Sequence, residues 1–378
     1  MQIRIRGVTV EVMRWQHPAL GFFEQSPCLG QSEMAVLRIQ SHDGVEGNAF
    51  IGSSFAARPS MLESSLPFEM GWIRELLLGA DAMFRESLWH TMVDYGVRRG
   101  GQAKTATLMA ADVALWDLVG KTLGAPIYQL LGGFRDKVLA YASSPYHGDA
   151  QAYVEEALQY KERGFKAYKI HPGKRPAREA IELCRKVREA VGPEMSLMLD
   201  WGSGPGEYSQ ALQVGRALEG LEFCWFEDPV PFWELENLVD LAKRIDVPIA
   251  LHDYIQPLLN PLVNYLTRGA GKILRSDSVK HGITGLRKVA ALCEEHGLRL
   301  EPHHGGNSLM NVANLHILWS ISNAQFFEHI IPPEWHQFGL KRDIEVDRDG
   351  CVSAPDAPGL GFEVDWEIVE GHRIATVG

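Results

Sequence analysis

Residues 165–228 carry the clearest fold signal in the chain: FKAYKIHPGKRPAREAIELCRKVREAVGPEMSLMLDWGSGPGEYSQALQVGRALEGLEFCWFED. Three short apolar runs in this segment are separated by two parts with helical spacing, residues 176–191 and 209–219. Apolar runs that alternate with amphipathic segments are typical of parallel strands joined by crossover helices. We therefore interpret this segment as strand, helix, strand, helix and strand.

The same alternation continues on both sides of this segment. From Val138 onward eight apolar runs follow one another: VLAYAS, FKAYKI, MSLMLD, FCWFED, VPIALHD, KILRSD, LRLEPH and AQFFEH. Further helical spacing lies at residues 150–163, 234–244, 283–296 and 308–320. Eight strands over about 190 residues indicate a compact barrel of the TIM type. A doubly wound open sheet is the alternative, but no G-x-G-x-x-G follows an early strand.

The first part of the chain has a different pattern, in which strands precede helices. Residues 2–14 alternate, residues 33–51 form two β-rich runs, and helical spacing follows at residues 70–97 and 103–123. Strands followed by helices are typical of an α+β domain. We expect three parts, an α+β domain at residues 1–130, the barrel at 131–339 and a C-terminal segment at 340–378 that returns to the first domain.

Composition narrows the class of protein. The 378 residues are 46% hydrophobic and carry a net charge of -11 with scattered lysines and arginines, which argues against nucleic acid or an anionic membrane surface as partner. No apolar run is long enough to span a membrane, and the N-terminus lacks the apolar core of a signal peptide. Five cysteines without C-x-x-C spacing fit a reducing compartment. We expect a cytoplasmic protein, and a small anionic substrate is compatible with this charge because a bound cation can locally reverse the field.

Polar residues recur at the predicted carboxyl ends of the barrel strands. From His171 the successive gaps are 29, 27, 26, 24, 26 and 25 residues, each the length of one strand–helix unit. In a barrel these strand ends meet at the face where active sites are built. The residues in this register are Lys169, His171, Asp200, Glu227, Asp253, Asp277, His303 and Glu328.

Three of these carboxylates, Asp200, Glu227 and Asp253, end consecutive strands. Converging carboxylates repel one another unless a cation lies between them, and all-oxygen ligands suit Mg²⁺ better than zinc. The alternative is that each is an ordinary N-cap of the following helix. Asp228 and His252 are the adjacent candidates if the register slips by one residue.

Asp277 and His303 end the next two strands, within expected reach of a carboxylate–imidazole hydrogen bond. Such a bond fixes the histidine tautomer and raises its basicity, as a general base requires. The alternatives are a structural His303, or His304 as the inward-facing histidine. Lys169 and His171 lie two apart on one strand and therefore point to the same side, where they can supply charge and a proton.

Glu328 ends the eighth predicted strand and has two interpretations. A protonated Glu328 could donate a hydrogen bond to a developing oxyanion, whereas an ionised Glu328 could be paired with a nearby base. The assembly as a whole suits removal of the proton next to a carboxylate. That proton is weakly acidic, so its removal needs a base together with cationic stabilisation of the developing charge.

These motifs resemble the mandelate racemase subgroup of the enolase superfamily over nearly the whole chain. ADVALWDLVGKTLGAPIYQLLGG (residues 111–133) is similar to the linker before the barrel, and DAPGLGFEVD (356–365) to the C-terminal return. GFKAYKIH resembles the Lys-x-Lys strand, and MLD, WFED and PIALHD resemble the three metal-ligand strands. RSDSVKHGITG with LEPHH resembles the Asp–His dyad, and FFEH the final Glu.

The resemblance implies a modified (β/α)₇β barrel with an α+β capping domain that the C-terminal segment completes. It also implies Lys or His base chemistry supported by Mg²⁺. We also expect a homo-oligomer, a dimer or an octamer. The implied roles are Mg²⁺ ligation by Asp200, Glu227 and Asp253, a substrate-facing Lys169, an Asp277–His303 dyad, and Glu328 opposite the metal.

Three features depart from the family pattern. His171 replaces the second Lys of Lys-x-Lys, as in acid-sugar dehydratases that the chain resembles; Asp253 replaces the usual Glu; and Trp201-Gly202 follows Asp200. Capping-domain loops at residues 16–30 and 51–58 are expected to set substrate specificity.

Three hypotheses follow for the function. The first is dehydration of an aldonic or aldaric acid to a 2-keto-3-deoxy acid, with His303 or His171 as base. The second is a racemase or epimerase of a 2-hydroxy acid that uses both histidines. The third is a catalytically silent metal-binding barrel.

Overall fold

The structure is a computed structural model that describes residues 1–16, 31–54, 62–94, 96, 103–202, 204, 206–252 and 259–378. Residues 259–261 are described by their backbone alone.

A four-stranded antiparallel sheet and, among the described residues, four α-helices form the first part of the fold. The strand order is β13–β1–β2–β3, so the last strand of the chain joins the first. The elements are β1 (Ile5–Gln16), β2 (Gln31–Ser41), β3 (Glu46–Ser53), α1 (Leu62–Leu77), α2 (Arg85–Val93), α3 (Thr105–Leu123), α4 (Ile127–Leu130) and β13 (Arg373–Val377).

The prediction of one helical segment at residues 70–97 is wrong. The structure has two helices here, and α1 begins earlier than expected. Gly79 has a φ of 76°, in the left-handed region that favours glycine and ends a helix. Asp81 then accepts a hydrogen bond from the Met83 N–H and begins a new short 3₁₀ turn before α2. The helical periodicity continues across this break, which is why the sequence pattern concealed it.

Strands and helices then alternate strictly along the chain. The elements are β4 (Lys137–Ser143), α5 (Ala150–Glu162), β5 (Ala167–Ile170), α6 (Ala177–Val191), β6 (Ser196–Asp200), α7 (Tyr208–Gly220), β7 (Trp225–Glu227), α8 (Leu235–Ala242), β8 (Ile249–His252), α9 (Leu259–Thr267), β9 (Ile273–Arg275), α10 (Ser278–Glu295), β10 (Arg299–Leu300), α11 (Ser308–Leu318) and β11 (Phe326–Ile330). Within the described residues this is a (β/α)₇β order.

The strands of this second part are parallel neighbours in the order β10–β9–β8–β7–β6–β5–β4–β11. The predicted fold class, a modified TIM barrel with an α+β capping domain, is confirmed.

The C-terminal segment contacts both parts of the fold. Its strand β12 (Cys351–Ser353) pairs antiparallel with β4 of the barrel. After α12 (Trp366–His372), β13 pairs with β1 in the first sheet. The segment therefore ties the two parts together.

Candidate active site

The barrel interior is built in layers. Its apolar layer consists of Tyr141, Ala167, Met198, Trp225, Ala250, Ile273 and Phe326. Side chains two positions further along a strand point to the same face, one step closer to the carboxyl ends. The next layer therefore consists of Ser143, Lys169, Asp200, Glu227, His252, Arg275 and Glu328.

Lys169 lies at the centre of this polar layer. Its fully buried Nζ is 3.3 Å from Asp200 Oδ2, 3.2 Å from Glu227 Oε2 and 2.8 Å from Glu328 Oε1. Burial alone would lower the pKa of Lys169, but Glu227 and Glu328 outweigh it and hold the pKa well above its usual value. The ammonium is therefore a fixed positive charge at the point where three carboxylates converge.

Arg275 is a second buried cation that the sequence interpretation missed. Its guanidinium donates to Glu227 Oε1 at 3.1 Å and to Glu328 Oε2 at 2.5 Å, and also to the Glu301 carbonyl at 3.0 Å. The signal that could have found it is the strand period, because Arg275 lies two residues after the buried Ile273 and two before Asp277.

Glu328 lies in the middle of β11, so its predicted place at the end of the eighth strand is wrong. Besides the two cations, it accepts hydrogen bonds from Ser143 Oγ and from the His304 N–H, both at 2.9 Å. Burial would raise its pKa, but Lys169 and Arg275 hold the pKa well below its usual range. These contacts favour the interpretation of Glu328 as an ionised, paired carboxylate.

His171 reaches the same cluster from one layer above Lys169. Its Nε2 is 3.2 Å from Asp200 Oδ2, and its ring centroid is 5.8 Å from that of Tyr146. Burial would raise the pKa of Asp200, but Lys169 and His171 lower it below its usual range. Lys169 and His171 thus point to the same side, as their spacing predicts.

Of the three predicted metal ligands, the structure describes two. Asp200 and Glu227 are directly paired neighbours on adjacent parallel strands, and both contact Lys169 Nζ. Asp253 lies outside the described residues, directly after the last residue of β8.

The slipped register is not supported at Glu227. Asp228 has a φ of 45° and lines a small apolar pocket with Leu238 and Leu262. Its Oδ1 accepts the His252 N–H at 3.0 Å. Glu227, by contrast, faces the buried cations.

Asp277 and His303 lie close together, but farther apart than a hydrogen bond. His303 Nδ1 is 3.7 Å from Asp277 Oδ2. Asp277 is also the N-cap of α10, where its Oδ1 accepts the Lys280 N–H at 3.1 Å and its Oδ2 lies 3.1 Å from Lys280 Nζ. Burial would raise the pKa of Asp277, but Lys280 and His303 lower it below its usual range.

The neighbouring histidines occupy different surroundings. The ring of His304 bonds to Asn311 Nδ2 at 2.7 Å and accepts the Gly306 N–H at 2.9 Å, so it belongs to the packing around α11. His252 instead packs against His303, with ring centroids 4.3 Å apart. Burial and then the charge of His303 lower the pKa of His252 well below its usual value.

A cavity of about 470 Å³ opens beside β5 and β6, lined by Tyr146, Arg175 and Trp201 among others. Most of the loops expected to set specificity lie outside the described residues. Within the described parts of the chain, no helix is long and apolar enough to cross a membrane.

A parallel barrel that gathers acids, a lysine and histidines near the carboxyl ends of its strands is typical of barrel enzymes. Comparison with known protein families identifies which family of barrel enzymes this is. Residues 8–132 match the mandelate racemase/muconate lactonizing enzyme N-terminal domain, and residues 152–368 match the enolase C-terminal domain-like family. The chain belongs to the mandelate racemase/muconate lactonizing enzyme family of the enolase superfamily.

Several relatives of the chain are named as dehydratases of acid sugars. The chain is 29% identical to the arabinonate dehydratase of Saccharolobus solfataricus over 80% of this chain and 81% of that protein. It is 30% identical to the 3,6-anhydro-alpha-L-galactonate cycloisomerase of Streptomyces coelicolor over 89% and 90%.

Two solved structures that hold magnesium share the fold. D-glucarate dehydratase from Agrobacterium tumefaciens, complexed with magnesium, has a TM-score of 0.82 and 29% identity over 99% of this chain and all of that chain. A racemase from Streptomyces coelicolor with bound magnesium has a TM-score of 0.81 and 26% identity over 98% of this chain and all of that chain.

Proposed function

We propose that this protein is a Mg²⁺-dependent dehydratase of an acid sugar, an aldonate or aldarate, that yields a 2-keto-3-deoxy acid. One observation carries the proposal: Asp200 and Glu227 converge on Lys169 at the carboxyl ends of the strands, with His171 beside them. The dehydratase names of relatives over most of the chain support the same chemistry.

The donor set fits Mg²⁺. Asp200 and Glu227 each bring a carboxylate oxygen to within 3.3 Å of one point, the Lys169 nitrogen. Mg²⁺ favours carboxylate oxygens together with water and substrate oxygens. Asp200, Glu227 and Asp253 would hold the ion, which supplies positive charge to the substrate carboxylate when bound.

The described side chains suggest how the proton moves. His303 or His171 takes the C2 proton, and the electrons of the C2–H bond move toward the carboxylate, near the fixed charge of Lys169. The C3–O bond then breaks, and the other histidine protonates the departing hydroxyl, which leaves as water. The resulting enol takes a proton at C3 and becomes the 2-keto-3-deoxy acid.

A racemase or epimerase is the second candidate, and the placement of the two histidines favours it specifically. His171 follows β5 and His303 follows β10, which are separated by four intervening strands in the strand order. Two imidazoles that face one carbon from opposite sides can remove a proton on one side and return it on the other. A cycloisomerase among the relatives and a racemase among the structural neighbours make this a real alternative.

A library of aldonic and aldaric acids in D₂O, with Mg²⁺ or with a chelator, separates these candidates. A Mg²⁺-dependent keto acid, trapped with semicarbazide, supports dehydration, whereas deuterium at C2 without keto acid indicates racemisation or epimerisation. No turnover and no Mg²⁺-dependent rise in melting temperature would indicate a silent barrel. We further propose a cytoplasmic location and a homo-oligomer, a dimer or an octamer, which size-exclusion chromatography with light scattering tests.

A further inference from the structure

A second cluster of potential metal ligands lies beside the proposed magnesium site. One donor atom each of His252, Asp277 and His303 lies within 4.8 Å of the other two. These side chains come from β8 and from the residues that follow β9 and β10. We propose that His252, Asp277 and His303 are the ligands of a separate transition-metal site that binds Zn²⁺.

The ligand types distinguish this site from the magnesium position. Two imidazole nitrogens and one carboxylate oxygen suit Zn²⁺, whereas Mg²⁺ prefers oxygen alone. Zn²⁺ binds such atoms at about 2.0–2.2 Å, so tetrahedral ligands lie roughly 3.4 Å apart. His303 Nδ1 and Asp277 Oδ2 are already 3.7 Å apart, so small side-chain rotations complete the geometry.

The cluster is partly ordered in advance and open to solvent. The N-cap bond to Lys280 N holds Asp277 through Oδ1 and leaves Oδ2 toward His303. The side chains of His252 and His303 are 15% and 33% exposed, so an ion can reach them from the barrel mouth. Three protein ligands leave a fourth position for water.

Lys280 opposes binding, and this provides a sharp test. Its Nζ lies 3.1 Å from Asp277 Oδ2, where it would repel a bound dication. The ammonium sits on a flexible four-carbon stem, so an incoming ion can displace it. Removal of this charge should therefore tighten Zn²⁺ binding, an effect that a purely structural role of the cluster does not predict.

Occupation of the site would use a lone pair of His303. If the protein has the proposed function, Zn²⁺ would inhibit turnover because the bound imidazole can no longer accept a proton. Only this consequence rests on the proposed function. Binding itself requires no turnover, so the site can be tested whether or not the protein is a dehydratase.

The experiment is a Zn²⁺ titration of the metal-free full-length protein in saturating Mg²⁺, in competition with a chromophoric chelator. We expect one Zn²⁺ per chain. His252→Gln and His303→Gln should each weaken binding at least about 10-fold, the lower bound for the loss of a metal-site partner. Lys280→Gln should tighten binding several-fold, and exposed His42→Gln should leave it unchanged.

Asp200→Asn separates the two metal positions, because it damages the proposed magnesium site and leaves all three zinc ligands in place. We expect it to retain Zn²⁺ affinity, and melting curves of every variant check that the chain is folded. Unchanged affinity in folded His252→Gln and His303→Gln overturns the proposal. So does loss of Zn²⁺ binding in folded Asp200→Asn, which would place the ion in the magnesium position.

Discussion

Two groups of polar contacts in this protein differ in how burial affects their charged side chains: cations and acids stabilise one another in the first, whereas burial disfavours the charged forms in the second. The mouth cluster gathers three acids and two cations in the polar layer of the barrel. The seam joins α3 and α4 to α10, α11 and the C-terminal segment. The mouth cluster is Lys169, Asp200, Glu227, Arg275 and Glu328, and the seam is Asp112, Tyr128, Thr284, His316 and Leu360.

The contrast shows most clearly in two buried acids. Glu328 contacts two cations, which outweigh burial and hold its pKa well below the usual range. Asp112 accepts bonds from Thr284 N at 2.9 Å and Thr284 Oγ1 at 2.6 Å, which only partly offset burial, so its pKa is raised to about 6. Direct contact with two cations therefore keeps the pKa of Glu328 low, whereas hydrogen bonds and the charge of Arg85 do not offset burial at Asp112.

The largest expected effect is that of Glu328→Gln. This change leaves Lys169 and Arg275 buried with one counter-charge fewer. Loss of one member of a buried ion pair costs about 3–5 kcal/mol. Urea unfolding of the wild type and the variant measures this loss, and a cost below about 1 kcal/mol would remove the contrast between the mouth cluster and the seam.

The next effect concerns activity rather than stability. His303→Asn should slow C2 proton exchange by about 10²–10⁴-fold, the usual contribution of a general base. The Mg²⁺-dependent rise in melting temperature should persist, because His303 is not a proposed magnesium ligand. His296→Asn, on the exposed end of α10, is the control. Comparable exchange in His303→Asn would move the base elsewhere, most simply to His171.

Much of the mouth cluster could be predicted because its signal is periodic. The spacing of strand ends identified Lys169, Asp200 and Glu227, and the structure brings their charged groups together. The alternation of strands and helices likewise led to the confirmed barrel. Both predictions rest on two regular spacings, the two-residue period along a strand and the length of one strand–helix unit. These spacings are visible in a single sequence.

The remaining features depend on distances that no periodicity encodes. The sequence predicted a hydrogen bond between Asp277 and His303. In the structure the Asp277 carboxylate also caps α10 and contacts Lys280, and His303 Nδ1 lies 3.7 Å from Asp277 Oδ2. Arg275 was missed because its strand was predicted to end at Asp277, whereas β9 ends at Arg275. The position of Glu328 was missed because it was taken as a strand end, whereas it lies within β11. The seam escaped notice altogether, since its partners are as far as 188 residues apart in sequence.

The seam predicts a loss of stability in acid. His316 Nδ1 accepts the Tyr128 N–H and Nε2 donates to the Leu360 carbonyl, both at 3.0 Å, so the ring is neutral. Burial lowers its pKa to about 4, while the unfolded value is about 6.5. The unfolded state therefore binds the proton first, and up to about 3 kcal/mol is lost as the pH falls from about 6.5 to 4.

His316→Gln should remove this share of the acid sensitivity. Urea unfolding at pH 7.5 and 4.5 should show the wild type losing more stability than the variant, so that the difference between them narrows in acid. Exposed His42→Gln should follow the wild type. Parallel losses in all three proteins would mean that His316 does not carry the effect.

The smallest expected effect is that of Asp112→Asn, the seam counterpart of Glu328→Gln. Asn loses one acceptor, which costs about 1 kcal/mol, but it also removes the cost of burying a charge at neutral pH. We therefore expect a net change in the free energy of unfolding within about 1 kcal/mol at pH 7.

The pH dependence predicts the direction in which Asp112→Asn changes stability relative to the wild type. Because the pKa of Asp112 is raised to about 6 in the folded state, the unfolded chain loses its proton first. The wild type is thus destabilised as the pH rises from about 4 through 6, whereas Asn is not. Over that pH range the free energy of unfolding of Asp112→Asn, measured with urea, should rise relative to that of the wild type. The free energy of unfolding of Glu328→Gln should stay about 3–5 kcal/mol below that of the wild type at neutral pH. If Asp112→Asn proves as costly as Glu328→Gln at pH 7, hydrogen bonds hold a buried charge here as firmly as cations do, and the distinction between the two regions fails.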